Sequence, residues 1–262
     1  MSSTRETATY LYCLVTADRR PSLTGAPRGL AGTGPLRTLE ADQGLWLIVS
    51  DAPLSAYGSE PIERNLRDLE WVALRGAAHA RMIEYFARRA TTLPMKLFTL
   101  FASDERAAAH VRGDAGRIRR VLTRVAGREE WGIRVRLDAA LVRKRTARRP
   151  APSRNGRSAG TQFLLAKKQA RDVAREVVRE GRAAVEEAFE ELAALADATR
   201  RRSAGELEGT RLVLDAALLV PAGRLVSFKR RARRAASDLA ARGYRLSLTG
   251  PWPAYHFVGD GR

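Results

Sequence analysis

Three histidines, one cysteine and one glycine-rich run are the residues of this 262-residue chain with types and spacing that could support chemistry beyond packing. His79, His110 and His256 stand far apart in sequence. No HExxH-type metal pair is therefore formed, and a single cysteine cannot build a thiolate zinc site. Cys13 lies in the apolar run Tyr10–Val15, where it reads as a small buried hydrophobe and not as a reactive thiol. The run Gly29-Leu30-Ala31-Gly32-Thr33-Gly34 has its glycines in a different order from the dinucleotide fingerprint and lacks the Lys-Ser/Thr of a phosphate loop. It is expected to be a long connection between strands. There is no Gly-x-Ser-x-Gly elbow, and the many carboxylates lie on helix faces opposite arginines, where ion pairing is the default. His256 sits between Tyr255 and Phe257 and reads as a hydrogen-bonded structural histidine. No catalytic residue, cofactor or metal is expected, and the chain reads as a non-enzyme.

The tryptophans point elsewhere. Trp46, Trp71 and Trp131 fall in expected helices or strands. Trp252 stands between Pro251 and Pro253 in Leu248–Val258, near the C-terminus. Two prolines stiffen the backbone and hold the indole at a fixed place, in a turn or on a sheet edge. An aromatic cluster this dense at a chain end suggests a docked tail, with Tyr255, Phe257 and Val258 resuming an extended run. Trp252 is either core or an interface anchor, a role such aromatics often take. Trp252, Tyr255, Phe257 and Trp131 are the candidate interaction residues.

The formal charge is +18, with 42 arginines against 5 lysines. An arginine–alanine surplus with so little lysine often reflects a GC-rich coding background, so the charge argues only weakly for nucleic acid. It does imply salt-sensitive association with acidic partners. Met1–Thr9 is polar, so no secretory leader is expected there. No apolar run approaches the roughly 20 residues that span a bilayer. One cysteine fits a reducing, cytoplasmic setting.

The elements that would position these residues follow from periodicity. Tyr10–Val15 and Leu45–Ser50 read as strands, the second apolar on both faces. A long helix is expected from Pro61, capped by Ser59, with the stripe Ile62, Leu66, Leu69, Ala73, Gly76, Ala80, Ile83 and Ala87 turned to the core. Leu93–Phe101 reads as a strand, Asp104 to about Val125 as a helix capped by Ser103 and ended by Gly127, and Glu130–Asp138 as a half-wet strand. Two helices on one face of a mostly antiparallel sheet make an α+β layout, a ferredoxin-like variant over residues 1–142. Residues 143–160 carry seven basic side chains, no acid and several proline and glycine breaks, and read as a basic linker. The second α+β domain, residues 161–262, opens with a long coiled-coil-like helix from Gln162 to about Arg202. Its seam is Ala170, Ala174, Val177, Gly181, Ala184, Ala188, Leu192 and Leu195. A strand over Arg211–Val220, a helix over Leu225–Arg242 with the basic patch Lys229–Arg234, and terminal strands with the Trp252 turn complete it.

Leu248-Thr249-Gly250-Pro251-Trp252-Pro253-Ala254-Tyr255-His256-Phe257 resembles the C-terminal signature of the gas vesicle protein F/L family. Further resemblances follow in order along the chain: Tyr10-Leu11-Tyr12, Gly29–Gly34, Leu45–Ser50, His79-Ala80, Glu130-Trp131-Gly132-Ile133, and Gly160–Lys168 with Phe163 in place of tyrosine. Leu93–Phe101 resembles a leucine-proline-x-arginine-phenylalanine-glycine segment, with Lys96 and Leu97 at the fourth and fifth positions and no glycine at the next. The resemblance implies an accessory or minor structural protein of gas vesicles, the protein-walled organelles that give buoyancy. It implies binding to the shell protein and to other accessory proteins during assembly, with no catalytic site. Two surfaces suit that role: the seam Ala170–Leu195, unless it packs on Leu225–Leu239 of the same chain, and the tail around Trp252. The alternative from another class is a basic nucleic-acid-binding protein using Arg143–Arg157 and Lys229–Arg234.

Overall fold

The structure, a computed structural model, describes residues 6–138, 179–202 and 212–259. The basic linker 143–160 and the start of the expected long helix, with Ala170, Ala174 and Val177, lie outside the described residues. The chain forms two compact units: residues 1–127 together with 252–262, and residues 128–251. The boundary therefore falls before the Glu130 strand and not at residue 142, and the tail from Trp252 onward belongs with the N-terminal residues.

The first unit holds β1 (Thr7–Thr16), β2 (Arg37–Asp42), β3 (Leu45–Pro53), α1 (Leu54–Tyr57), α2 (Ser59–Asn65), α3 (Leu69–Ala87), β4 (Thr92–Pro94), β5 (Leu100–Phe101), α4 (Asp104–Gly113) and α5 (Ala115–Val125). Its sheet runs β2-β3-β1-β4, with β5 also pairing to β1, and the pairings are antiparallel. β1 is buried along almost its whole length, because it is covered on both sides. Tyr10, Tyr12, Cys13 and Val15 pack with Met82, Ile83 and Phe86 of α3. Leu11 and Leu14 pack with Val111, Ile118 and Leu122 of α4 and α5. Strict alternation would send Cys13 to the second group; a bulge between Leu11 and Cys13 adds one residue against β3 and shifts the phase. Helices thus cover both faces of this sheet, not one as expected. A strand apolar at successive positions demands cover on both sides.

Three expected continuous elements are broken. The long helix from Pro61 is α2 and α3, because the Asp68 carboxylate accepts hydrogen bonds from the Glu70 and Trp71 N–H groups, both at 3.0 Å, and starts a new helix. Ser103 caps α4 as expected, but the helix breaks at Gly113-Asp114 before α5. Leu93–Phe101 is two short strands separated by a turn in which Phe98 has φ 63°. β2 escaped the sequence reading: it is a short edge strand between Pro35 and a turn at Gly44 (φ 69°).

In the second unit the described elements are β6 (Arg128–Leu137), α6 (179–193), β7 (Ala198–Arg201), β8 (Leu212–Pro221), α7 (Leu225–Ala241) and β9 (Tyr244–Trp252). The order β7-β8-β6-β9, with α6 before β7 and α7 before β9, is the β-α-β-β-α-β succession of a ferredoxin-like unit. That arrangement was expected of the N-terminal residues and is found here instead. Alternate residues Ile133 and Val135 of β6, and Leu214, Ala216, Leu218 and Val220 of β8, share one core with Ala184, Ala188 and Leu192 of α6 and Phe228, Ala232 and Leu239 of α7. The seam therefore packs on α7 within the chain along its described part. The long helix does not reach Arg202. It ends at 193, and Ala198–Arg201 pairs with β8 as an edge strand.

Candidate functional site

The motifs of the first unit meet around two tyrosines and a histidine. β1 points Tyr10 and Tyr12 to the same side, and α3 brings His79 against both rings, at centroid distances of 5.7 and 5.8 Å. The His79 Nε2–H donates to the Met95 carbonyl at 3.0 Å, which leaves Nδ1 to accept from the Tyr10 hydroxyl at 2.8 Å. The tautomer is assigned by these neighbours. The Phe98 N–H donates to the same hydroxyl oxygen. Burial pushes the His79 pKa below its ordinary value, against a smaller opposite pull from the Met95 carbonyl. Burial raises the Tyr10 phenol and the Cys13 thiol far above theirs. The imidazole is therefore held neutral and fully hydrogen-bonded, and the thiol is no nucleophile.

The glycine-rich run closes the same core. The Leu30 N–H donates to the Tyr12 hydroxyl at 3.0 Å, and a Cβ at Gly29 would stand 2.4 Å from that oxygen. The glycine there makes room for a tyrosine, not for a phosphate. This run is part of the β1–β2 connection, as its composition implied.

Beside this core the first unit has a cavity of about 650 Å³, walled by α3 at Gly76, His79 and Ala80, by Leu93–Leu97, by α4 and α5, and by the tail at Tyr255, Val258 and Gly259. Its wall is mainly apolar, with Lys96, His110, Asp114 and Arg117 among the lining residues. Arg117 is paired with Asp114, so Lys96 is the cation there without an acidic partner among the described residues. The volume lies within the range typical of ligand pockets. No group of histidine, cysteine and carboxylate side chains suited to a metal ion occurs among the described residues.

The four candidate interaction residues divide two and two. Trp131 is 6% exposed, packs against Phe228 and carries the Lys229 ammonium over its ring; its burial makes it a core residue of the second unit. Phe257 is 5% exposed, and its carbonyl accepts from Arg124 Nη2 at 2.6 Å. Trp252 and Tyr255 are exposed, at 44% and 38%. Pro253 and Ala254 between them are buried, so the tail is docked. It runs as turns and not as the expected extended segment.

The two most diagnostic motifs also touch. β6 and β9 are neighbours in the second sheet. A Cβ on Gly132 would stand 2.7 Å from Thr249 Oγ1, and one on Gly250 (φ 135°) 2.9 Å from the Glu130 carbonyl and 3.1 Å from the Trp131 ring. Glu130-Trp131-Gly132 and Thr249-Gly250 therefore interlock, each glycine clearing space for the other strand's side chain. Sequence reasoning singled out both motifs and had no means of pairing residues so far apart.

Two antiparallel sheets with their helices, arranged as above, define a mixed α+β protein of the kind seen in two solved gas vesicle proteins. The crystal structure of gas vesicle protein GvpF from Anabaena sp. PCC7120 superposes with a TM-score of 0.68 at 17% identity, covering 98% of both chains. That of GvpF from Microcystis aeruginosa superposes with a TM-score of 0.65 at 13% identity, covering 96% of this chain and 99% of that one. Among curated proteins, gas vesicle protein L of Streptomyces sp. (strain CB03234) is 28% identical over 256 residues, 95% of this chain and 92% of the relative. The family model for the gas vesicle synthesis protein GvpL/GvpF matches residues 8–259, and the chain belongs to that family. Its role is in gas vesicles. No described helix is long and apolar enough to cross a membrane.

Proposed function

We propose that the protein is an accessory or minor structural component that binds the gas vesicle shell protein, and other accessory proteins, during assembly. The observation that carries this reading is the tail. Trp252 and Tyr255 stand exposed on a segment held by the buried Pro253, Ala254 and Phe257. A large aromatic on a fixed backbone loses little freedom on binding, which is the property of an interface anchor. A neutral, fully bonded histidine core and a buried, protonated thiol support a binding role and not a chemical one. The basic surface offers less to nucleic acid than its charge implies, since Arg231 is paired with Glu191 and Arg201 with Glu186. Co-purification of tagged protein with co-expressed shell protein tests the reading. Capture that persists at moderate salt and is lost in Trp252→Ala supports it. Absence of shell protein, together with DNA binding of steep salt dependence, overturns it.

A further inference from the structure

The apolar stripe of α3 is only half used by the fold. The residues it buries are Ala78, His79, Met82, Ile83 and Phe86, and of these only Ile83 continues the row of Leu69, Ala73, Gly76 and Ala80. Those four recur at steps of four, three and four and so lie along one flank of the helix. Leu69 is 82% exposed, and Ala73 is also exposed. At the other end of the same flank Gly76 and Ala80 form part of the cavity wall. An apolar stripe, exposed at Leu69 and Ala73 and half-buried at Gly76 and Ala80, thus runs for about 16 Å along α3, at 1.5 Å per residue, and reaches the apolar cavity with Lys96 among its lining residues.

Resting on the function proposed above, we infer that this flank and cavity form a groove for an amphipathic helix of the shell protein, with an apolar side chain in the cavity and a carboxylate toward Lys96. A helix is the occupant because the groove wall along α3 is helix surface, whose backbone groups are already bonded, so an added strand would find no partners there. Small residues at 73, 76 and 80 let a second helix approach closely. A second copy of this chain is disfavoured by its own charge of +18, and the cation at Lys96 selects an acidic edge.

Two substitutions test the groove without disturbing the fold. Gly76→Leu fills the cavity; a Cβ there has its nearest neighbour, Leu97 Cδ2, at 4.0 Å, and leucine favours the helix over glycine. Leu69→Asp places an acid in the first turn of α3, where the helix dipole favours it. Far-UV circular dichroism checks that both fold. Capture of shell protein and binding of a fluorescent Leu/Ala/Glu amphipathic peptide of about 15 residues are measured for each. At least a tenfold loss of both in both variants, with a Leu/Ala/Lys peptide binding weakly to wild type, is the expected result. Shell protein captured equally by wild type and both variants overturns the groove and leaves the assembly reading standing. Peptide bound and blocked by Gly76→Leu, with no shell protein captured by wild type, supports the groove and overturns the reading. Binding of neither overturns both.

Discussion

Phe98 adopts φ 63°, a left-handed conformation that costs a residue with a Cβ about 1–2 kcal/mol. It occupies the sixth place of the segment beginning Leu93-Pro94, where the family pattern has glycine. Its ring packs on Trp71 and Tyr57, at centroid distances of 5.3 and 6.4 Å; those contacts offset the strain. Phe98→Ala loses the ring and keeps the strain, whereas Phe98→Gly loses both. The glycine variant is therefore expected to be more stable than the alanine variant by about 1 kcal/mol, read as the difference in denaturant midpoints. Elsewhere in a helix or strand that order is reversed. His79 gives a second test. Its native pKa lies below the unfolded value, near 6.5, so the unfolded chain takes up the proton first. Stability is full above about 6.5 and falls as pH drops through the interval between the two values. Denaturant midpoints at pH 7.5 and 5.5 should show a larger loss for wild type than for His79→Gln.

At the level of elements, close approaches and caps decide what periodicity left open. Gly132 sits under Thr249, so Gly132→Ala is expected to cost about 1–3 kcal/mol by overpacking. Thr249→Ala in that background should recover part of the loss; a double-mutant cycle with no coupling would show that β6 and β9 do not meet there. Asp68 divides α2 from α3 through its cap, and Asp68→Ala is expected to destabilise by about 1 kcal/mol. In α3 it is His79, and not Ala80 of the expected stripe, that packs on β1.

Across the whole molecule, the tail returns to the N-terminal unit after the chain has built β9 in the second. Ala254 and Phe257 are buried there, and Val258 packs against the cluster of Leu11, Leu93 and Ile118. Removing residues 252–262 should therefore loosen the first unit selectively. Amide hydrogen exchange is expected to speed up in β4 and α5 while α7 and β8 keep their protection. Equal loss in both units would contradict this assignment of the tail.

The chain's own pattern determined the mixed α+β class, the strands β1, β3 and β8, the helix α7, the cap at Ser103 and the docking of an aromatic tail, because each depends on local periodicity or turn chemistry. It determined family membership too, since the resemblance rests on short motifs. Tertiary structure alone decided which sheet each strand joined, that helices cover both faces of the first sheet, and that Trp131 and Phe257 are core while Trp252 and Tyr255 are not. Tyr12, Gly29 and His79 meet, as do Gly132 and Thr249, only once distant segments fold together. The physical reason is that propensity and spacing act over a few residues, whereas burial of a given face is settled by what packs against it. A bulge of one residue in β1 is enough to change which side chains that is.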